Sequence, residues 1–579
     1  MKTTVKRLIA LLSAVVIPFS VLVLGGAAKA DNNKVIELNI YNAEEYISEF
    51  NEEWETFDII EAFEEEMKKE GLNVKVNYST FGTLENMYNE LQLTKKKGKD
   101  GKYTYAYDLV CPSDYMIQRM INEDMLETYD VNFDDNGDVV YDKVDNFNEY
   151  ASGFIKELFN SKNEEDYVTK ETKKWSEYAV CYMWGTMGFV YNPEKLLEVN
   201  ADKNIDISSM NGIELEEALE ANTWHLPWEA YYKNLGTIKD SIRDTYALAV
   251  GNVYSEQLIK LRQMWESGKL TQSEYQSVLI KVFNNVNTKF SEEFAEIKEL
   301  SPDKYSEVCK LFPDSDIKTV DKVSETLKVL KHNVFGFEVD SGKKDMASGK
   351  IAINFAWSGD AAYTLDTADE MEGATLYYSV PKEGSNIWFD AWVMPKGANK
   401  ELAQKFVNFI SSPESAISNM DYIGYVSPIA GDDVFDRLLD TYELTTDEAE
   451  ANELGYVPID YSYYFTNISD DYKTEDGKVI VYTSTDNLGR QLTTQYPEKS
   501  TVDRCALMTT LSKGELKDLN RMWSDVKVGD IPVWLLILIP SLIGVVAIFF
   551  IVYAILKKHG ITFMRKPKYY GKLIKSERI

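Results

Sequence analysis

An acid and two indoles alternate within one apolar stretch of this sequence, SNIWFDAW, which spans residues 385–392. Trp388, Asp390 and Trp392 occupy every second position, so in a strand their side chains point to the same face. A carboxylate holds an ammonium group through charge-assisted hydrogen bonds, and aromatic faces attract cations and cover methylene groups. The stretch therefore predicts either a site for an organic cation or a packed core that contains one charged residue.

Both Asp390 and Trp392 also have purely structural interpretations. A carboxylate flanked by Phe389 and Ala391 is costly to bury unless it is paired. Asp390 therefore either binds a ligand or forms a buried ion pair, for which Arg243 is a candidate partner. For Trp392 we favour ordinary core packing, which is also an alternative for Trp357.

The elements that position such a site begin near residue 35. Hydrophobic periodicity predicts alternating strands and helices, at 35–41, 58–71, 72–79, 83–93, 107–113 and from Asp114 onwards. This βαβαβα order is typical of a parallel sheet with helices on its faces. Ligands bind beyond the carboxyl ends of such strands, where hydroxyl and carboxylate side chains occur at 42–46, 80–83 and 112–115. Each segment alone also fits an ordinary turn or helix N-cap.

A second α/β region follows. Its apolar runs cover 178–192, 241–250, 349–366 and 376–395, and a helix is predicted at 400–412. The exported part, about 500 residues, is too long for a single core, so two lobes are expected. Residues 252–335 are predicted to be a charged helical insertion, exposed to solvent as an appendage.

Both ends of the chain carry targeting signals. Residues 1–30 have the form of a signal peptide. Residues 531–556 contain no charged side chain, and as a helix they would be about 39 Å long, more than the roughly 30 Å core of a bilayer. We expect a transmembrane helix there, and the basic segment 557–579 is expected in the cytoplasm.

Charge and composition exclude several classes of function. The net charge is −32, and it becomes −43 for residues 31–530 once the basic signal segment and tail are left out, so nucleic acid would be repelled. Four cysteines without a C-x-x-C pair and only three histidines disfavour a metal cofactor. Cys111 and Cys181 are predicted to be buried free thiols, and 132–143 a turn instead of a calcium loop.

Seven blocks follow one another within residues 35–432, namely IYNAEEYI, YDLVCPSDYMIQRMINEDMLE, YMWGTMGFVYN, DSIRDTYALA, FAWSGDAAY, PKEGSNIWFDAWVMP and YIGYVSPIA. In this order they resemble one family, the spermidine/putrescine-binding proteins of bacterial ABC importers. The resemblance implies a type II periplasmic-binding-protein clamshell with two discontinuous lobes that close on the ligand. Lobe 1 would comprise 31–184 and 390–434, and lobe 2 185–389 and 435–528, with Asp390 at the hinge.

The same resemblance implies a set of ligand-binding residues. The positions that match the family are Tyr46, Ser113, Tyr115, Trp357, Trp388, Asp390 and Tyr425, with Asp114 inside the matching block. Four positions depart from the family: Asp244 is shorter than its glutamate, Ser241, next to Asp240, stands where the family has an aspartate, Ala43 replaces a tryptophan, and Glu44 replaces a threonine. Asp360 offers a further carboxylate. The departures leave the length of the ligand open.

The function implied is capture of a polyamine outside the cell and its delivery to an ABC permease and its ATPase. The chain is expected to act as a monomer tethered to the membrane, without cofactor or catalysis. A receptor ectodomain that signals through the same single helix is the alternative. An enzyme that uses acid pairs is a third, although no G-x-S-x-G, H-E-x-x-H or P-loop motif is present.

Overall fold

The computed structural model describes residues 35–99, 101–167, 169–199 and 205–528, with the single positions 548 and 552. Its first elements are β1 (Ile36–Ala43), α1 (Ile59–Lys69), β2 (Val74–Phe81), α2 (Leu84–Thr94), β3 (Lys96–Lys97), β4 (Tyr103–Thr104), β5 (Leu109–Val110) and α3 (Asp114–Asn122). Strand β1 pairs in parallel with both β2 and β5, which confirms the predicted parallel arrangement. Helix α1 begins where the Asp58 side chain accepts a hydrogen bond from the Glu61 N–H.

The next stretch leads into a long strand. Its elements are β6 (Leu126–Glu127), β7 (Val131–Phe133), β8 (Val139–Tyr141), α4 (Asp145–Tyr150), α5 (Gly153–Ser161), β9 (Asn163–Glu165), β10 (Thr172–Lys174) and β11 (Ala179–Tyr191). Strands β7 and β8 form an antiparallel hairpin around Gly137, so the prediction of a turn over 132–143 is confirmed.

The central part of the chain is mostly helical. It contains α6 (Pro193–Glu198), α7 (Gly212–Ala218), β12 (Gly236–Lys239), α8 (Ile242–Val253), α9 (Ser255–Glu266), α10 (Gln272–Phe283), α11 (Phe290–Phe294), α12 (Pro302–Leu311), α13 (Thr319–Asn333), β13 (Gly336–Glu338), α14 (Ser341–Ala347), β14 (Ile353–Trp357), α15 (Ser358–Glu370), β15 (Tyr377–Ser379) and β16 (Ser385–Pro395). Strand β12 pairs in parallel with both β13 and β14.

The remaining elements pack around these two sets of strands. They are α16 (Lys400–Ile410), α17 (Pro413–Ile423), α18 (Asp432–Thr441), α19 (Glu448–Leu454), β17 (Val457–Asp460), β18 (Ile480–Thr483), α20 (Gln491–Gln495), α21 (Lys499–Asp503), β19 (Cys505–Ala506) and α22 (Lys513–Val528). Helix α16 matches the helix predicted at 400–412.

One eleven-stranded sheet joins the two α/β regions, in the order β13-β12-β14-β11-β16-β5-β1-β2 with three short strands beside this path. We call β5, β1 and β2 the first half-sheet, and β14, β12 and β13 the second half-sheet. The antiparallel strands β11 and β16 lie between them. Strand β11 pairs with β14 of the second half-sheet, and β16 pairs with β5 of the first. The middle of β16, which includes Asp390, therefore lies at the junction of the half-sheets.

The side chains of β16 alternate as the sequence predicts. Phe389 packs against Trp184 on one face of the strand, with ring centroids 6.2 Å apart. On the opposite face, Trp392 is fully buried, and its ring centroid lies 5.7 Å from that of Phe406. Core packing is thus the correct interpretation of Trp392.

The insertion at 252–335 is helical, as predicted, but it is not a solvated appendage. Leu258, Tyr275 and Leu279 are fully buried, and helix α13 packs against α8 and α22. The exposed sides of these helices carry the charges that suggested solvation, while their apolar sides pack against α8, α22 and the short strand β19. The prediction of an exposed appendage was wrong because the sequence reveals the charged face of an amphipathic helix but not the element that its apolar face packs against.

All four cysteines are free thiols. Cys111, Cys181 and Cys505 are buried, whereas Cys309 is partly exposed on α12. The prediction of buried free thiols at Cys111 and Cys181 is confirmed.

The predicted signal peptide at 1–30 lies outside the described residues, as do the basic tail at 557–579 and the predicted span at 531–556 apart from positions 548 and 552. Within the described part of the chain, no helix is both long and apolar enough to cross a bilayer.

Candidate functional site

Polar and aromatic side chains from both half-sheets meet the middle of β16. Most of them come from the carboxyl end of a strand or from the first turn of the helix that follows it, as expected for an α/β ligand site. The strand ends that contribute are those of β1 (Tyr46), β5 (Ser113, Asp114, Tyr115), β12 (Asp244) and β14 (Trp357, Asp360), together with Tyr425 after α17 and Trp388 and Asp390 on β16.

Asp390 is a partly buried carboxylate without a cationic partner among the described residues. Its Oδ2 accepts a 2.7 Å hydrogen bond from the Tyr46 hydroxyl, and its Oδ1 is shielded from solvent and accepts no hydrogen bond from the described part of the chain. Burial raises the pKa of Asp390 to about 6, although the neighbouring hydroxyls of Ser113 and Tyr46 lower it in part. The candidate ion pair with Arg243 is not formed.

Two further carboxylates, Asp114 and Asp244, add negative charge near Asp390. Burial raises the pKa of both, and the charge of Asp244 further raises the pKa of Asp114 and of Asp390. One oxygen of Asp114 accepts a hydrogen bond from the Tyr115 N–H, while the other is shielded without a partner among the described residues. Ser113 begins α3 without capping it through its side chain, and it forms a backbone bridge to Asp390.

Arg243 lies at the edge of this acidic group and is held elsewhere. Its guanidinium group donates to Asn284 and to the Thr509 carbonyl, and it lies 4.7 Å from the centre of the Tyr115 ring. The Tyr115 hydroxyl donates to Glu85 at 3.4 Å. Tyr115 is therefore fixed between a cation and an anion of the protein itself.

Aromatic rings connect Asp390 to the second half-sheet. The Tyr46 ring makes edge contacts with Tyr182 and Tyr425, at centroid distances of 5.6 and 5.3 Å. Trp388 lies 5.5 Å from Tyr425 in a similar geometry. These rings give the cluster flat apolar surfaces beside a carboxylate, which suits an alkyl chain that carries an ammonium group.

Two glycines make this close packing possible. A Cβ at Gly359 would lie 2.2 Å from ring atoms of Tyr425, and one at Gly185 would lie 2.7 Å from Trp388. Any larger residue at either position would displace an aromatic wall of the cluster.

Asp360 lies on the other side of Tyr425 and already has cationic partners. Its Oδ2 is 2.7 Å from the Lys239 ammonium group and its Oδ1 is 3.5 Å from that of Lys343. Burial alone would raise the pKa of Asp360, but the two lysine charges and a 3.0 Å hydrogen bond from Tyr425 outweigh it, so that the pKa is lowered to about 2. Trp357 is part of this group, because the Lys239 ammonium lies 4.5 Å from its ring centre.

Two of the predicted residues lie away from the cluster. The Glu44 side chain is exposed, and Asp240 forms an ion pair with Lys527 of α22. That pairing joins positions almost 290 apart in sequence, and no local pattern could have revealed it.

Sequence reasoning missed three charged side chains of the site, namely Lys239, Lys343 and Glu85. Lys239 ends the short strand β12, and a lysine at the carboxyl end of an apolar strand was a usable signal. Lys343 lies on α14 and Glu85 on α2, in segments that carry no comparable signal.

The site has the chemistry of reversible recognition. Among the described residues, no group of histidine, cysteine or acidic side chains could hold a metal ion. The cluster offers a carboxylate without a counterion in the described part of the chain, two more acids and aromatic walls, at the junction of two α/β units. Fold and site thus define a protein that binds a small solute.

The sequence profile of the family described as "Bacterial extracellular solute-binding protein" matches residues 58–432. The chain belongs to this family. It is therefore a solute-binding protein and not an enzyme.

Proteins similar in sequence to this chain have names that refer to spermidine or putrescine. The chain is 26% identical over 403 residues to the spermidine/putrescine-binding periplasmic protein of Salmonella typhimurium, covering 69% of this chain and 80% of that protein. It is 24% identical over 405 residues to the putrescine-binding periplasmic protein SpuD of Pseudomonas aeruginosa, with the same coverage. Among solved structures, it is similar to the spermidine/putrescine substrate-binding protein PotD of Streptococcus pneumoniae, with 21% identity, a TM-score of 0.44, and 85% and 98% of the two chains covered.

Proposed function

We propose that this protein is the polyamine-binding component of an ABC importer and that its ligand is held at Asp390. The observation that carries the proposal is the Asp390 carboxylate, which is shielded, lies beside Tyr46 and Trp388, and has no cationic partner among the described residues. A buried charge of this kind is costly unless an opposite charge arrives. The names of the relatives in Salmonella typhimurium and Pseudomonas aeruginosa support a polyamine as that partner.

The residues proposed to contact the ligand are those of the cluster around β16. Asp390 binds one ammonium group, Asp244 and Asp114 supply the neighbouring charge, and Tyr46, Trp388 and Tyr425 cover the methylene groups. Ser113 and Tyr115 line the side of the first half-sheet. Glu44 and Asp240 are left out because the first is exposed and the second is paired with Lys527.

We further propose that the protein works by lobe closure while tethered to the membrane. The lobe limits at 184/185 and 389/390 are supported by the passage of β11 and β16 between the half-sheets at these positions. The tether is the apolar segment 531–556, and the ligand is delivered to a permease. A chain that lacks residues 531–579 should bind the ligand with unchanged affinity but restore little uptake in cells.

Isothermal titration calorimetry on the full chain, purified in detergent, tests the ligand. We expect heat with putrescine or spermidine and none with glycine. An Asp390→Asn variant should lose this signal, whereas Asp135→Asn, which changes an exposed acid of the same size, should keep it. Absence of heat with every polyamine would contradict the proposal.

A further inference from the structure

Lys239 places a cation of the protein itself in surroundings that would suit the ammonium group of a ligand. Its ammonium group is 2.7 Å from the Asp360 carboxylate, 2.7 Å from the Val339 carbonyl oxygen, and 4.5 Å from the Trp357 ring centre. The side chain is 1% exposed. An acid, a carbonyl and an indole face are the partners that proteins offer to alkylammonium ions.

This lysine belongs to the same cluster as Asp390. The Tyr425 hydroxyl donates to Asp360 at 3.0 Å, and the Tyr425 ring contacts both Trp388 and Tyr46. Tyr46 in turn donates to Asp390. A continuous series of contacts therefore connects the two acids, and a linear cation bound at Asp390 would extend its other end towards Asp244 or towards Asp360.

The two directions differ in charge. Asp244 forms no ion pair with a described lysine or arginine, although Arg243 and Lys239 act on it from a distance. Asp360 is matched by Lys239 and by Lys343, and Lys343 also lies 3.5 Å from Asp340. An ammonium group that approached Asp360 would meet two positive charges at short range, which disfavours it strongly where water is excluded.

We propose that the Lys239 side chain acts as a built-in ammonium group, occupying one of the positions that a linear polyamine would otherwise fill. The ligand is then a diamine held at Asp390 and Asp244, and a triamine is disfavoured because its third charge would face Lys239. This inference rests on the proposed function and adds a specificity-determining residue to it.

The test compares a diamine and a triamine on full-length protein by calorimetry. Wild type should bind putrescine at least tenfold more tightly than spermidine. Lys239→Ala, which opens space and removes the charge, should reduce this preference at least tenfold. Lys173→Ala is the matched control, because Lys173 is also largely buried and paired, with Asp124 at 2.9 Å, but lies on β10, which pairs with β9 and contributes no residue to the site; it should leave the preference unchanged.

If both amines bind and Lys239→Ala leaves their ratio unchanged, or if wild type prefers spermidine, the inference is overturned while the proposed function stands. Should Lys239→Ala fail to fold, Lys239→Met replaces it, since methionine keeps most of the chain length without the charge. We then expect a shift towards spermidine of at least threefold, and an unchanged ratio overturns the inference.

A third arm separates failure of the inference from failure of the proposed function. If wild type binds neither amine, the proposed function fails, and the inference is then tested by thermal melts with n-propylamine, which supplies the three methylene groups and the ammonium group that Lys239→Ala removes. A rise in the melting temperature of Lys239→Ala, or of Lys239→Ser if the alanine variant does not fold, absent in wild type, supports an ammonium position occupied by Lys239. No rise in the variant overturns it.

Discussion

Asp360 and Asp390 are the same residue type in similar aromatic surroundings, yet their electrostatics are opposite. Each accepts a hydrogen bond from a tyrosine hydroxyl, but the pKa of Asp360 is lowered to about 2 whereas that of Asp390 is raised to about 6. Burial acts on both. The difference comes from Lys239 and Lys343, which neutralise Asp360, while Asp390 has no such partner among the described residues.

The comparison shows that an acid among aromatic rings does not by itself define a site for a ligand cation. Such a constellation can be complete within the protein, as at Asp360, or it can require a charge from outside, as at Asp390. Only the position of the lysines, which come from β12 and α14, separates the two cases. Under the proposed function, the Asp390 carboxylate binds the ligand, whereas the Asp360 carboxylate is paired within the protein and contributes to the stability of the fold.

The largest expected effect is the loss of stability on removing the charge of Asp360. Asp360→Asn leaves Lys239 buried without its main partner, which should lower the free energy of unfolding by about 3–5 kcal/mol. Urea denaturation measures this. Asp518→Asn is the control, because it breaks an exposed ion pair with Lys318 and should cost no more than about 1 kcal/mol. Equal losses in the two variants would contradict the assignment of Asp360 as a buried, paired acid.

The same substitution at the other acid should have the opposite outcome. Asp390→Asn removes a carboxylate that has no counterion, so the free energy of unfolding should be unchanged or slightly higher. Putrescine affinity should fall by about a hundredfold or more, since the ammonium group loses its charge partner. Calorimetry and urea denaturation on one preparation give both values. A large loss of stability with binding retained would show that Asp390 is structural.

Binding should weaken in acid, because protonation of Asp390 removes its charge. With a pKa of about 6, putrescine affinity should be about tenfold lower at pH 5 than at pH 7. The polar groups that face Asp390 are Tyr46, Ser113, Asp114, Asp244, Tyr182, Tyr425 and the thiols of Cys111 and Cys181. Asp114 and Asp244, whose pKa values are also raised, make the dependence steeper.

The free energy of unfolding of the ligand-free protein should depend on pH in the opposite direction and should fall as the pH rises. The folded state holds the Asp390 proton more tightly than the unfolded state does, so this residue destabilises the fold as pH rises from about 4 to about 6. Urea denaturation should show that this loss is absent in Asp390→Asn. A pH profile of binding that is equally steep in wild type and in a residually binding Asp390→Asn protein would assign the titration to other groups.

The smallest effect is expected at the residue between the two acids. Tyr425→Phe deletes the 3.0 Å hydrogen bond to Asp360 and keeps the ring, so we expect a loss of about 1 kcal/mol in the free energy of unfolding. Putrescine affinity should change less than about threefold. The control Tyr422→Phe removes a longer contact to Glu49 at the surface and should have almost no effect. A much larger loss of affinity would mean that the hydroxyl itself contacts the ligand.

Local periodicity was sufficient to predict the first half-sheet. Helix α1 was expected at 58–71 and is found at Ile59–Lys69, and β2 was expected at 72–79 and is found at Val74–Phe81. The signals that predict these elements lie within them, namely the alternation of apolar and polar residues, the helix caps and the glycines. Burial of the helices at 252–335 could not be predicted, because it depends on contacts with elements distant in sequence, such as α22.

The members of the candidate site were predicted by the family resemblance, together with the alternation of side chains along β16. Asp390, Trp388, Tyr46 and Tyr425 come together as expected. Whether each acid forms an ion pair was not predictable, because this depends on which carboxylate a long lysine side chain reaches. Lys239 extends to Asp360, and Lys527 extends to Asp240.

The distribution of the four thiols has a practical consequence. Burial raises the pKa of Cys111, Cys181 and Cys505, so these thiols stay protonated and shielded at neutral pH. Cys309 alone among the four is partly exposed. A maleimide dye should therefore label the unmodified protein at one position on α12, and a reporter there would follow the helices at 252–335 without any cysteine having to be replaced.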